Sequence, residues 1–134
     1  MDKTSVMVRF SIYGENFDPC VISEELGLSP TETHLKGEPT KNGRNTWKDT
    51  SWSINTGYEE SLDINVQLEK IMSLLEFKTE KLVELKDKLC VSMLFMIVVK
   101  IENNETPAMY FKKPFIHFLS RIDAEVGFDV YVYS

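Results

Sequence analysis

A chain of 134 residues with 43% hydrophobic and 27% charged side chains can bury a core without disulfides or metal, and it is too apolar to stay disordered. The net charge of -6 excludes a broad basic footprint for nucleic acid or an anionic membrane, and two cysteines exclude a disulfide-built scaffold. One α+β domain over residues 1–134 is expected.

The N-terminal MDKTSVMVRF has no apolar run of signal-peptide length, so a cytoplasmic location is the default expectation. From Ser5 to Tyr13, Val6, Val8, Phe10 and Ile12 share one face against Ser5, Arg9 and Ser11, the alternation of a half-buried strand that Gly14 ends. Phe17 as staple, Asp18 as N-cap, Pro19 as first helical residue and Gly27 as stop predict a helix over Pro19 to Leu26. Val21, Ile22 and Leu26 would face the core, with Glu24 and Glu25 in water.

Extended pieces at Thr31 to Lys36 and Ser51 to Asn55 flank the turn signal Asn42-Gly43, which predicts a hairpin with a long loop. Trp47 and Trp52 have opposite parity, so burying both needs a bulge near Asp49 and Thr50; otherwise one is exposed. Beyond Gly57 the stripe Ile64, Leu68, Ile71, Met72 and Leu75 predicts a helix capped by Ser61 or Asp63. Leu82, Leu85 and Leu89 predict a second, with a bend near Phe77 and Thr79 as a possible new cap; one long helix is the alternative.

The segment CVSMLFMIVVKI, Cys90 to Ile101, reads as the central strand with both faces largely covered, and it is too short to span a membrane. A turn at Glu102 to Glu105, a short strand at Ala108 to Phe111 and a helix opened by Pro114 and carrying Phe115, Phe118, Leu119 and Ile122 follow. Phe128, Val130 and Val132 alternate with Asp129, Tyr131 and Tyr133 in a closing strand. The first six elements follow the ferredoxin-like β-α-β-β-α-β order, extended by a further strand, helix and strand.

The segments VMVRFSIYG, FDPCVISEELGLSPTETHLKGEP, SWSINTG and DVYVYS, with the helical pair between them, cover nearly the whole chain. In their order and spacing the chain resembles the bacterial family catalogued as domain of unknown function 4279. The resemblance implies a small stand-alone protein and carries over no cofactor, activity or functional residue. Immunity or accessory factors are an analogy for such proteins.

Candidate chemistry is sparse. His34 and His117 lie far apart without ligand-spaced neighbours, so no metal or cofactor is expected. Cys20 and Cys90 read as buried thiols. Glu24-Glu25 and Glu59-Glu60 are adjacent pairs that do not share a helical face and read as solvated surface. Lys36, Lys41, Arg44 and Lys48 around Trp47 form the most suggestive patch for a partner, although nearby Glu38 and Asp49 and the acidic balance disfavour nucleic acid. Arg9 should pair with a carboxylate across the sheet or line a concave ligand surface. Tyr13, Tyr131 and Tyr133 would form an aromatic face if the terminal strands are neighbours.

The leading expectation is a non-enzymatic protein-interaction module, with a protein partner or self-association and no membrane. A small-molecule or nucleotide-binding module using Arg9 or the Lys36 to Lys48 loop is the alternative. An enzyme assembled from Cys20, Glu24, Arg9 and His34 is the third reading.

Overall fold

The structure, a computed structural model, describes residues 3–133. In β1 (Ser5–Gly14) Val6, Val8, Phe10 and Ile12 are completely buried, as their alternation requires. Helix α1 (Pro19–Leu26) begins where the Asp18 carboxylate accepts the Cys20 amide at 3.0 Å. It ends at Gly27, whose φ of 65° is a left-handed conformation that costs glycine little. Ile22 and Leu26 face the core, and Val21 packs at its margin.

Strands β2 (Glu32–His34) and β3 (Thr50–Asn55) form the expected antiparallel hairpin, with His34 opposite Ser51. The connecting residues 35–49 turn at Asn42-Gly43, where the Gly43 amide donates to the Thr40 carbonyl at 2.9 Å. Trp52 is fully buried, whereas Trp47 stays on the loop and half-exposed. A short strand the sequence reading missed, β4 (Glu59–Glu60), pairs with the start of β1.

Helix α2 (Ile64–Leu75) is capped by Asp63, which accepts the Asn65 amide at 2.9 Å. A single 3-10 turn, Glu76–Lys78, separates it from α3 (Thr79–Leu89), so the bend lies at Phe77, which is 91% exposed. Thr79 is not the new cap: it is already helical and its hydroxyl donates to the Glu76 carbonyl at 3.1 Å.

The central strand is β5 (Ser92–Glu102), followed by α4 (Lys113–Ile122) and β6 (Glu125–Tyr133). The strands form one mixed sheet in the order β2-β3-β1-β5-β6, with β4 beside β1. Neighbours are antiparallel except β5 and β6, which α4 joins as a parallel crossover. The strand expected at Ala108 to Phe111 does not form. Pro107 has no amide to donate to a ladder, and Ala108 instead clips the entry to α2, accepting from Ile64 at 3.1 Å and donating to Leu62 at 2.8 Å.

All four helices contribute to one core against one face of the sheet. There Phe95 sits among Phe10, Phe115 and Phe118, with ring centroids 4.9, 5.0 and 6.3 Å away. The other face carries no helix, which corrects the expectation for β5. Its Met93, Phe95, Ile97 and Val99 are buried; on the opposite parity Val98 is buried too, but Leu94, Met96 and Lys100 are only partly covered.

Both cysteines are exposed, not buried. Cys20 turns away from the stripe set by Ile22 and Leu26, and Cys90 is the left-handed cap of α3, at φ 54°, rather than part of β5. Among the described residues no helix is long and apolar enough to cross a membrane.

Candidate functional site

Strand alternation puts Arg9, Ser11 and Tyr13 of β1 on the helix-free face, and the register sets their neighbours beside them. Ser11 lies opposite Ser53, which lies opposite Glu32; one step along, Tyr13 lies opposite Ser51, which lies opposite His34. These three strands, with Leu94 of β5, form the floor of a cleft of about 420 Å³, closed on one side by Trp47 and Asp49 from the long loop. The volume is that of a small-ligand site.

The wall is held by two local interactions. The Trp47 indole stacks on the His34 ring at 3.7 Å and 5°, and His34 Nε2 lies 3.4 Å from Asp49 Oδ1. On the floor, Arg9 is half-buried, and its guanidinium makes no ion pair or hydrogen bond among the described residues. The cross-strand carboxylate expected for it is absent, because its register neighbours are Asn55 and Met96. The Glu32 carboxylate is likewise unpaired among the described residues and faces the same cleft. Ser11, Ser51 and Ser53 supply hydroxyls between them.

Of the residues singled out in the sequence, Arg9, Tyr13, His34 and Trp47 meet here, and of the partner-binding candidates only Arg9 and Trp47. Lys41 borders an adjoining groove that shares Glu32, His34 and Trp47 with the cleft. Lys36 points to Glu15 at 3.7 Å in a solvent-exposed pair, which contributes little to stability. Arg44 and Lys48 are exposed and make no ion pair among the described residues. Reversing the charge of Lys41 and Arg44 together should shift folding stability by no more than about 0.5 kcal/mol. A large drop in the urea midpoint of that double variant would show that the loop supports the sheet.

Glu32, His34, Asp49 and the serines were missed as a group. The available signal was parity: Glu32 and His34 on one strand and Ser51, Ser53 and Asn55 on the next all share a polar face.

The enzyme candidates do not assemble. Cys20 and Glu24 lie on α1, across the sheet from Arg9 and His34. The Asp18 carboxylate pushes the Cys20 thiol above its ordinary value, the reverse of what activates a nucleophile. Among the described residues no group of three or more His, Cys, Asp or Glu is disposed to hold a metal ion.

The second notable surface is the outer edge of the sheet. Among the described residues strand β6 pairs only with β5, which leaves its other edge open along nine residues. Phe128, Val130, Tyr131, Val132 and Tyr133 are each 42–68% exposed. The Tyr131 hydroxyl donates to Asp129 at 2.9 Å, and that bond holds the phenol above its ordinary value. Nearby, Lys100 lies 3.9 Å from the Tyr58 ring centroid. Tyr13 does not join this cluster: β5 separates β1 from β6, and Tyr13 pairs with Ser92, far along β5 from Lys100, the partner of Tyr131.

Residues 3–133 match the model of the family described as Domain of unknown function (DUF4279), and the chain belongs to that family. No curated protein and no solved structure matches it.

Proposed function

We propose that the protein is a non-enzymatic interaction module that engages protein by strand addition at β6, with a second copy of the chain as the first occupant. The observation that carries this reading is the open β6 edge with its exposed apolar and aromatic side chains. An unpaired row of backbone donors and acceptors is a template for another strand, and natural edges are usually blunted by charge, proline or a covering loop. β6 carries only Glu125 and Asp129 as charges and has no proline.

The strand is also self-complementary. An antiparallel pairing with Val130 on a twofold axis sets Phe128 against Val132, Asp129 against Tyr131, and Gly127 against Tyr133. No charge then faces a like charge, whereas centring the pair on Asp129 would oppose two carboxylates. The order of β2, β3, β1 and β5, with antiparallel neighbours, supports a ferredoxin-like arrangement to which β6 is added. Two exposed, unpaired thiols support a reducing, cytoplasmic setting, and the acidic charge suits a basic partner in an accessory or immunity role.

Analytical ultracentrifugation across protein concentration tests the reading. A monomer–dimer equilibrium is expected that tightens as salt screens the repulsion between two chains of charge -6. Val130→Lys with Val132→Lys should abolish the dimer at unchanged melting temperature. A wild-type chain that stays monomeric removes the second copy as occupant. If the double variant also captures the same proteins from lysate as wild type, β6 is not the interaction surface.

A further inference from the structure

The Arg9 cleft is separate from the β6 edge, and the charges inside it define a ligand. Arg9 offers a guanidinium that is unpaired among the described residues, the donor geometry that carboxylates fit best. Were the ligand simply an anion, it would also meet the carboxylates of Glu32 and Asp49 in the same space. A simple cation would meet Arg9. Asp49 already faces His34, so Arg9 and Glu32 are the two opposite charges left to recognise something.

We propose that this cleft binds a small zwitterion with the charge pattern of a free amino acid or short peptide, its carboxylate on Arg9 and its ammonium on Glu32. The register supports the span. Glu32 and Arg9 stand on β2 and β1 with β3 between them, and Glu32 is level with Ser11, two residues along β1 from Arg9; two strand spacings and that two-residue rise put their backbones about 12 Å apart. Their side chains bridge part of that distance. The hydroxyls of Ser11 and Ser53 lie along the path and can hydrogen-bond the middle of the ligand. Trp47, packed on His34, walls the cleft beside Glu32 and keeps that end partly out of bulk water, where charge pairing is stronger.

The test is a titration of the full chain followed by backbone amide shifts and by fluorescence of Trp47, Trp52 being buried and remote from solvent. The probes are glycine, glycylglycine and triglycine, with acetate, methylammonium and inorganic phosphate as single-sign controls. At least one zwitterion should give saturable shifts at Arg9, Glu32 and Ser53, with the controls at least tenfold weaker. The member of the series that binds most tightly distinguishes a free amino acid from a peptide.

Arg9→Gln and Glu32→Gln should each weaken binding at least tenfold while leaving the melting temperature unchanged. No shift with any zwitterion overturns the proposal. So does acetate or phosphate binding as tightly as the zwitterions and more tightly still to Glu32→Gln, since that marks a plain anion site. Neither substitution touches β6, so failure here leaves the strand-addition reading untouched.

Discussion

Replacing Trp52 with alanine should lower folding stability by about 3–5 kcal/mol. Trp52 is fully buried and lies beside Ile12 on the helix-covered face, so truncation leaves a large void that rigid strand backbones cannot close. Its indole Nε1 also donates to the Ser23 hydroxyl at 2.9 Å, tying β3 to α1. The alanine variant therefore loses both packing and a partly buried hydrogen bond. Trp52→Phe keeps much of the ring volume while removing the donor and part of the indole, so a smaller loss, on the order of 1–2 kcal/mol, is expected. Urea denaturation read by circular dichroism measures both. An unchanged midpoint for Trp52→Ala would remove Trp52 from the core.

Phe95→Ala should cost a similar amount, about 3–5 kcal/mol, for a different reason. Phe95 is fully buried at the centre of β5 and meets Phe10 on one side and the two phenylalanines of α4 on the other. It thus couples the β1–β5 pair to the α4 crossover that positions β6. Losing it should loosen α4 and β6 before β1 to β3, and hydrogen exchange should show the amides of β6 losing protection ahead of those in β3. Phe95→Leu, which fills more of the space, should recover more than half of the loss. Uniform loss of protection across the sheet would show that β6 is no more dependent on Phe95 than the other strands.

The two substitutions probe opposite sides of β1, and the contrast bears on the proposed surfaces. A destabilised α4 and β6 would disturb strand addition more than the Arg9 cleft, which is built mainly on β1, β2 and β3, with Leu94 the one contribution from β5. A lost Trp52 would do the reverse. It underlies β3, whose Ser51 and Ser53 form part of the cleft floor.

Much of the fold was legible because its signals are local. Asp18, Asp63, Pro19 and Gly27 act on backbone groups within a turn of themselves, and the alternation of Val6 to Ile12 needs only the two-residue period of a strand. The bend at Phe77 was legible too, since Lys78 interrupts the apolar stripe. The expected strand at Ala108 failed because its hydrogen bonds go to the entry of α2, a long-range choice that local alternation does not encode.

The sequence by itself determined the element types and the apolar face of each, because these follow from side-chain period and from caps acting over a few residues. Only the tertiary structure decided which sheet face is covered. Leu94 and Met96 read as core in sequence yet lie on the helix-free side, and Phe128, Val130 and Val132, the apolar parity of the closing strand, lie on an uncovered edge. A strand's alternation is the same whether or not a neighbour arrives to cover it. The cleft likewise exists only through register: Arg9, Glu32, His34, Trp47 and Ser53 come from separate segments, and the pairing of β1, β3 and β2 is what sets their charges within one ligand's length.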